Sequence, residues 1–342
     1  MPVFNGERYI AQSVESILNQ SYKNIELIVV NDGSIDRTLE ILQQYKEINV
    51  INQENQGTAS AINNGIKISN GEFIARIDSD DIAFPIRIEK QVRYLRDHPD
   101  VGLLGSGAII IDIKNRKFGY QKVPLTDSEI RWASLFKSPF IHPSIMFRRE
   151  IIEGMPTLYD AKFLNSQDYD LWVRLIEKTK TANIREPLLY YRIHSKNTTL
   201  NQREMMLINS NTISIKAFEN FLPLALQDFQ KDDLFSLQSL LFSGSRDYNS
   251  FGDDRIHLIL RYLTIWDLYR KKYLLSSKEM KTIQDQVIVK VCQLTFFPPI
   301  SKDSSKVIQK LDSLDSSWPL IFLRSMPYAA QALFRERVLR KV

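Results

Sequence analysis

Residues 73–85 read FIARIDSDDIAFP, an apolar stretch that runs directly into a cluster of acids. Three of the four residues after the apolar run are aspartates, namely Asp78, Asp80 and Asp81. Like charges this close repel one another, and each carboxylate is costly to bury without a partner. The stretch is therefore either a solvated turn at the end of a strand or a carboxylate cluster that binds a cation.

Upstream of this stretch, apolar runs alternate with segments of helical spacing. Residues 25–31, IELIVVN, are almost continuously apolar, which is typical of a strand buried on both faces of a parallel sheet. The segments with helical spacing are 7–20, 39–45 and 59–69, and further strands are predicted at 50–52 and 72–77. This alternation predicts an α/β domain with a mostly parallel sheet.

The opening residues, MPVFNG, leave room for only a very short first strand, because the first helical segment follows almost at once. Either this strand is very short, or the sequence given begins inside the natural reading frame. Ligands of open α/β sheets bind beyond the carboxyl ends of the strands. Three polar stretches lie at such ends, namely Asn5-Gly6, residues 31–34 and Asp78 to Asp81.

Length and composition limit the class of protein. A chain of 342 residues is long enough for two domains, and its 45 basic and 40 acidic residues give a net charge of +5, too small an excess to indicate nucleic-acid binding. The single cysteine, Cys292, excludes an intrachain disulfide and fits a reducing compartment. No apolar stretch approaches a bilayer span and no secretory leader is evident, so we expect a cytoplasmic protein.

Four motifs, in this order and spacing, resemble glycosyltransferase family 2. They are MPVFNGERYI (1–10), ELIVVNDGSIDRT (26–38), NGEFIARIDSDDIAFPIRIEKQ (70–91) and SQDYDLWVRL (166–175). The resemblance covers about residues 1–200 and implies an inverting enzyme that uses a nucleotide-sugar donor. It also implies a Rossmann-like GT-A domain with a mostly parallel sheet, which we place at 1–204, followed by a mostly α-helical region at 205–342.

The resemblance assigns the acidic cluster to a divalent cation. Asp78 and Asp80 match the D-x-D positions of the family, and residues two apart in an extended segment project to the same side. Asp80 is expected to bind the metal directly, whereas Asp78 either shares it or approaches the ribose. Mg²⁺ or Mn²⁺ suits carboxylate and phosphate oxygens and neutralises the charge on a leaving diphosphate. Asp81 is expected to point away and to cap the following helix.

The first two motifs carry the expected nucleotide contacts. By resemblance, Asp32 recognises the base, and its carboxylate can accept the imide N–H of uracil or thymine, so a UDP- or dTDP-sugar is favoured. Phe4 matches the aromatic residue that stacks on the base, and Pro2 lies beside it. Without the resemblance, Asp32-Gly33-Ser34 would be interpreted as a common turn and Phe4 as a core residue.

The fourth motif carries the expected general base. By resemblance, Asp168 takes the proton of the acceptor hydroxyl as that hydroxyl attacks the anomeric carbon. Family members usually have Glu-Asp where this chain has Gln167-Asp168, so the acceptor contacts or the basicity of Asp168 differ here. Asp168 could instead cap the helix that follows it, and Asp170 is a rival for both roles.

Two histidines lie in segments that resemble the family. His194, in the stretch YYRIHSKNTT, is a candidate further ligand for the metal or the diphosphate, or else a surface residue of a loop. His142, in FIHPSIMFRRE, is expected to line the acceptor side.

The last third of the chain changes character and has few strand signals. Its final segment, from Trp318 onward, carries five basic residues and one acid. Such a segment can form a basic amphipathic helix on an anionic membrane surface, or it can pack on the protein with a solvated charged face. The family resemblance implies a glycan or lipid-linked glycan acceptor and a role in polysaccharide biosynthesis, and with the basic segment it makes a peripheral position at the inner membrane face an expectation.

Other nucleotide-binding enzymes fit the sequence less well. The residues after the first strand do not form the glycine-rich basic loop of a sugar-phosphate nucleotidylyltransferase, and a G-x-G-x-x-G dinucleotide motif is absent. The remaining alternative is a catalytically degenerate GT-A protein that binds nucleotide sugars as a scaffold. Gln167 and the short first strand favour it, whereas the four aspartates 32, 78, 80 and 168 weigh against it.

Overall fold

The computed structural model describes residues 1–194, 203–227, 231–242, 254–296 and 304–325. The chain divides into two compact units, Met1–Ala217 and Phe218–Val342. The sequence analysis places a boundary after residue 204, at the start of a long helix that spans Arg203–Phe221, whereas the contacts place the division inside that helix.

The first unit opens with a parallel sheet in the order β1-β2-β3. The strands are β1 (Pro2–Val3), β2 (Leu27–Asp32) and β3 (Ile48–Gln53), and the helices that connect and follow them are α1 (Ile10–Leu18), α2 (Thr38–Leu42) and α3 (Thr58–Ile68). Every residue of β2 is buried, as the continuous apolar run predicts for a central strand. The predicted alternation of strands and helices is confirmed here, with β1 only two residues long.

A second, mixed sheet follows in the order β4-β8-β6-β9-β5, with β7 paired to β6. Its strands are β4 (Phe73–Ala75), β5 (Ile82–Ala83), β6 (Val101–Ile111), β7 (Lys117–Gln121), β8 (Met146–Arg148) and β9 (Lys180–Arg192). The long strands β6 and β9 run parallel, from Val101 opposite Lys180 to Ile111 opposite Arg192. The other pairings in this sheet are antiparallel.

One hydrophobic cluster packs α1 against both sheets. It includes Ile10 and Val14 of α1, Val29 of β2 and Leu189 of β9, and all four side chains are buried. A cavity of about 540 Å³ lies between β2 and β4. The unit is completed by α4 (Arg87–Asp97), α5 (Asp127–Ser134), α6 (Gln167–Lys178) and most of α7 (Arg203–Phe221).

The second unit is helical in its described residues, as predicted. It contains α8 (Lys231–Phe242), α9 (Asp254–Lys272), α10 (Ser277–Phe296), α11 (Ser304–Leu314) and α12 (Trp318–Ser325). Fully buried aromatic side chains, among them Trp266, Tyr269 and Trp318, form its core. None of the helices in the described part of the chain is long and apolar enough to cross a membrane. The basic segment predicted to contact a membrane begins at Trp318, and its part after Ser325 lies outside the described residues.

Candidate active site

The three aspartates lie together in the loop between β4 and β5. One carboxylate oxygen from each of Asp78, Asp80 and Asp81 lies within 4.8 Å of the other two. The side chains of Asp78 and Asp80 are 30% and 25% exposed, so a ligand can reach both from solvent. The two D-x-D carboxylates lie close together, but in a turn in which the Asp81 N–H donates to the backbone oxygen of Asp78 at 3.3 Å, so the alternation of an extended segment does not account for their proximity.

Asp81 differs from its prediction. It is 1% exposed, and its Oδ1 accepts a hydrogen bond from the backbone N–H of Arg192 at 2.8 Å instead of capping a helix. Helix α4 begins six residues later, at Arg87, with no side-chain cap. Burial, together with the charges of Asp80 and Asp78, raises the pKa of Asp81 well above its usual value, and its Oδ2 has no hydrogen-bond partner. The prediction failed because β9 returns to this loop from 111 residues away, a contact that local sequence does not reveal.

His194 contacts the acidic cluster directly. Its Nε2 lies 2.8 Å from Oδ2 of Asp80, and its ring stacks on Tyr9 with centroids 5.5 Å apart. The side chain is 15% exposed, so His194 is not a surface loop residue. Its position beside Asp80 is compatible with the predicted role as a further ligand.

Arg192 fixes the backbone of the loop that carries the three aspartates. Its guanidinium is buried and donates to the backbone oxygen of Asp80 at 2.7 Å, to Oε1 of Gln12 at 2.9 Å and to Oδ1 of Asn115 at 2.5 Å. A fourth bond runs to the backbone oxygen of Asp112 at 3.1 Å. One side chain therefore joins helix α1, the aspartate loop and the turn between β6 and β7.

Arg76 lies behind the aspartates, on the strand side of the loop. Its Nη2 forms an ion pair with Oδ1 of Asp78 at 2.6 Å, and the side chain is 6% exposed. Its Nε and Nη1 are buried without a hydrogen-bond partner in the structure. The charge of Arg76 limits the rise in the pKa of Asp168 and contributes to the lowered pKa of His142, so this guanidinium acts on both the acidic cluster and the expected base.

Asp168 is the second residue of α6 and is half-buried. Burial raises its pKa above the usual aspartate value, and the backbone N–H of Tyr169, Arg76 and Ser138 oppose that rise in part. Ser138 Oγ donates weakly to Oδ2 of Asp168, at 3.4 Å. A raised pKa makes the ionised carboxylate a stronger base and so suits it to accept a proton.

The rival Asp170 is committed to structure. It is 3% exposed and lies 2.9 Å from Arg174 Nε and 3.3 Å from Lys216 Nζ. The helix cap position belongs to Ser166, whose side chain makes no capping bond. Of the two acids in this turn, Asp168 is therefore the one available to a substrate.

His142 packs in an aromatic box beside the expected base. Its Nε2 lies 3.1 Å from the hydroxyl of Tyr159. The rings of His142 and Trp172 pack edge to face, with their centroids 5.7 Å apart. Burial and Arg76 hold the pKa of His142 well below its usual value, so the ring is neutral at pH 7. Asn63 of α3 exchanges two hydrogen bonds with the backbone of Tyr159, which fixes this residue under the site.

The predicted nucleotide contacts lie at the carboxyl ends of β1 and β2. Phe4 follows β1 and is 49% exposed, as a stacking platform requires, whereas Pro2 is buried and opposes Val30 in the sheet. Gly33 ends β2 with φ +75°, and a Cβ there would lie 2.8 Å from the backbone nitrogen of Asn55, so the turn requires glycine.

Asp32 is engaged with the protein. It is 4% exposed, and its carboxylate accepts three hydrogen bonds, from Gln53 Nε2 at 2.7 Å and from the backbone N–H groups of Gln56 and Gly57 at 2.9 Å each. A carboxylate has about four acceptor positions. One position is therefore left for a base N–H, and the other three hold the loop that precedes α3.

The acidic cluster fits a divalent cation. The unpaired Oδ2 of Asp81, the two accessible carboxylates of Asp78 and Asp80, and the imidazole of His194 provide oxygen and nitrogen donors of the kinds that Mg²⁺ and Mn²⁺ bind. A cation would also offset the repulsion among the three carboxylates, of which only Asp78 forms an ion pair with an arginine side chain among the described residues.

Sequence reasoning missed three of these residues, namely Arg76, Tyr159 and Arg192. Arg76 carried a signal, because an arginine inside the otherwise apolar run FIARI lies two positions before Asp78 and shares its side of the strand. Tyr159 and Arg192 carried none, since both reach the site through contacts distant in sequence.

Comparison with known proteins agrees with this geometry. Residues 1–155 match the family model described as glycosyl transferase family 2. An uncharacterized glycosyltransferase of Haemophilus influenzae is 34% identical over 209 residues, which cover 57% of this chain and 65% of that protein. The O-antigen biosynthesis glycosyltransferase WbnJ of Escherichia coli is 34% identical over 206 residues, which cover 58% of this chain and 80% of WbnJ.

The fold is similar to that of a solved structure. Staphylococcus aureus TarS 1-349, in complex with UDP-GlcNAc, aligns with a TM-score of 0.53 over 93% of this chain and 90% of that chain, at 16% identity. At this identity the likeness concerns the fold alone, and it confirms the GT-A-like domain followed by helices. The family model and the relatives together show that the chain belongs to glycosyltransferase family 2, the nucleotide-sugar-dependent glycosyltransferases that its motifs predicted.

Proposed function

We propose that this protein is an inverting glycosyltransferase that moves a sugar from a nucleoside-diphosphate donor to a hydroxyl of a glycan or lipid-linked glycan. The observation that carries the proposal is the arrangement around Arg76. This guanidinium pairs with Asp78 of the acidic cluster and also lies close enough to Asp168 to lower its pKa, so a cation site and a candidate base share one buried charge. Transfer with inversion needs these two functions on opposite sides of one anomeric carbon.

Asp168 is the proposed general base. Burial raises its pKa, which strengthens it as a base, and the charge of Arg76 favours the ionised carboxylate and limits that rise. Ser138 holds one oxygen, so the other is left to accept the proton of the acceptor hydroxyl. Base catalysis of this kind contributes on the order of 10²–10⁴-fold to rate.

Asp80, Asp78 and His194 are the residues that would hold a divalent cation, Mg²⁺ or Mn²⁺. When bound, the cation would supply charge neutralisation for the departing diphosphate. Arg192 holds the backbone of Asp80 and so orients its carboxylate, while Arg76 orients that of Asp78. The protein thereby fixes the direction of the leaving group before the acceptor arrives.

The nucleotide would lie across the ends of β1 and β2, with Phe4 stacked on the base and Asp32 accepting a base N–H. The single acceptor position left on Asp32 supports a pyrimidine with one imide N–H, hence a UDP- or dTDP-sugar. The UDP-GlcNAc complex of TarS and the O-antigen role in the name of WbnJ support the donor class and a function in cell-envelope polysaccharide biosynthesis. Action in the cytoplasm, at the inner membrane face, follows as part of the same proposal.

Nucleotide-sugar turnover tests the proposal. The full chain is incubated with UDP-, dTDP- and GDP-sugars, with Mg²⁺, Mn²⁺ or a chelator, and release of the nucleoside diphosphate is measured with and without glycan acceptors. The proposal expects metal-dependent release with one donor class and a product whose anomeric configuration, read by NMR, is inverted. Retention of configuration, or donor binding without turnover under every condition, would refute it, and the second outcome would support the scaffold alternative.

A further inference from the structure

An exposed apolar and basic surface lies on the hairpin formed by β6 and β7. We define the hairpin tip as residues 111–122, which comprise the end of β6, the turn and β7. Three large apolar side chains of the tip are exposed to solvent, namely Ile113 at 42%, Phe118 at 60% and Tyr120 at 42%. Within the part of the chain that the structure describes, β7 pairs with β6 alone, so the tip lies at an edge of the second sheet.

A β-bulge interrupts β7 at Phe118. Ile110 lies opposite Gly119 and Ile111 lies opposite Lys117, so Phe118 is the extra residue of β7 and has no partner across the ladder. Bulges are common at sheet edges. All residues of β7 except Gly119 are exposed, so both faces of this strand are open to solvent.

The exposed apolar side chains lie among cations. The tip contains four basic residues, Lys114, Arg116, Lys117 and Lys122, and one acid, Asp112, so its net charge is +3. All four basic residues are exposed. Asp112 is itself paired with Arg116, at 2.7 Å, and therefore offers no open negative charge to an approaching ligand.

The tip is attached rigidly to the active site. Arg192 donates to the backbone oxygen of Asp112 and to Oδ1 of Asn115 in the turn, and the same guanidinium donates to the backbone oxygen of Asp80. Asn115 has φ 62°, a left-handed conformation that asparagine tolerates better than most residues. A surface that receives the hairpin tip is therefore held at a fixed position relative to the acidic cluster.

We propose that the hairpin tip docks on an anionic lipid bilayer, with Phe118 and Ile113 at the level of the headgroups and Lys114, Lys117 and Lys122 among the lipid phosphates. Aromatic and aliphatic side chains flanked by Lys and Arg are the composition of interfacial membrane contacts. Docking would bring the active site to a membrane in which a lipid-linked acceptor is presented. The docking is inferred from the hairpin itself, whereas its role in bringing the enzyme to a lipid-linked acceptor rests on the proposed function.

Two other occupants fit the tip less well. Lysines on an edge strand can serve to prevent strand pairing, but that role does not account for three exposed apolar side chains next to them. A second copy of this chain, joined tip to tip, would bring two surfaces of net charge +3 together, which like-charge repulsion opposes. An anionic bilayer satisfies both the apolar and the charged part of the surface.

Vesicle co-flotation of the full chain tests the proposal. Vesicles of phosphatidylcholine alone are compared with vesicles that also contain phosphatidylglycerol. The wild type is expected to float only with the anionic vesicles. Phe118→Ser should weaken partitioning about ten-fold, because one large apolar contact is lost. Lys114→Gln combined with Lys122→Gln should weaken it about 25-fold, since each cation near an anionic surface contributes about five-fold.

A matched control lies on α3, where a basic residue, Lys67, and an apolar residue, Ile68, are neighbours in sequence and both are exposed. Lys67→Gln combined with Ile68→Ser should float as the wild type does. The proposal is overturned if the wild type does not bind anionic vesicles, or if the hairpin variants bind as well as the α3 control. It is also overturned if the hairpin variants lose binding to a soluble acidic polysaccharide while vesicle binding is unchanged.

Nucleotide-dependent thermal stabilisation separates this proposal from the proposed function. Phe118 and the two lysines are not among the residues proposed to bind the nucleotide or the metal. The melting temperature of the hairpin variants should therefore rise with nucleotide and metal as much as that of the wild type. Loss of vesicle binding with an intact shift supports docking by the tip. Intact vesicle binding with no nucleotide shift in any protein would refute the proposed function and leave the docking standing.

Discussion

Replacing Arg192 by methionine should destabilise the first unit and weaken its metal site at the same time. Methionine has a similar length but no charge and no donor. The guanidinium donates four hydrogen bonds, to the backbone oxygens of Asp80 and Asp112 and to the side-chain oxygens of Asn115 and Gln12. At a net value of about 1 kcal/mol for each bond, their loss lowers the free energy of unfolding by about 4 kcal/mol.

The expected shift in melting temperature follows from the size of the unit. For a domain of about 200 residues, each kcal/mol corresponds to a shift of roughly 2–4 °C, so Arg192→Met should melt about 8–16 °C below the wild type. The melting temperature of Arg192→Lys should lie between those of the wild type and Arg192→Met, because one ammonium keeps the charge but cannot reach four acceptors on three segments. Circular dichroism in the near ultraviolet and differential scanning fluorimetry both report this transition.

The matched control is Arg37→Met. Arg37 also forms an arginine–carboxylate pair, with Glu40, but its side chain is 70% exposed. Exposed pairs contribute little, so this variant should melt with the wild type. The reasoning is refuted if Arg192→Met also melts with the wild type, or if it melts lower but keeps an unchanged metal-dependent response to nucleotide, since Asp80 would then not depend on Arg192.

Four further predictions concern the carboxylates. Asp168→Asn should reduce transfer by about 10²–10⁴-fold while nucleotide binding persists; transfer at the wild-type rate would remove Asp168 as the base. Because burial raises the pKa of Asp168, the folded protein binds a proton at this carboxyl more tightly than the unfolded chain does. The protonated carboxyl therefore stabilises the fold at low pH, and this contribution is lost as pH rises through the pKa of the folded state. At pH 8 Asp168→Asn should therefore melt at or above the wild type, and a clear drop would contradict the assigned pKa shift. Because the pKa of Asp168 is raised, the transfer rate should begin to fall with decreasing pH, as Asp168 is protonated, at a pH above the usual aspartate range. A pH–rate profile without this fall would be inconsistent with the raised pKa. Asp80→Asn should lose the effect of Mn²⁺ on nucleotide affinity, measured by calorimetry, and an unchanged effect would show that the cation binds elsewhere.

The sequence was most informative where structure is local. The continuous apolar run of β2 predicts a central strand, and every residue of β2 is buried. This prediction depends only on neighbours along the chain. The helical character of the last third was likewise evident from its periodicity.

The sequence was least informative where distant segments meet. The burial of Asp81 follows from the return of β9, and the clamp made by Arg192 joins segments up to 180 residues apart. The second sheet is mixed because β8 and β9 approach β6 from opposite directions, which strand propensity alone does not determine. The division of the chain inside α7 was missed for the same reason, since helical periodicity continues without interruption across it.

The most direct test of the central claim, that an aspartate-bound cation presents a nucleoside diphosphate in this fold, is thermal unfolding of the full chain with UDP, dTDP, GDP or CMP, each with and without Mn²⁺. A ligand at about 100 times its dissociation constant adds about 2.7 kcal/mol to the free energy of unfolding, which is readily measured. We predict a stabilisation by UDP or dTDP that requires Mn²⁺. Stabilisation that is independent of metal, or none with any of the nucleotides, would contradict the claim.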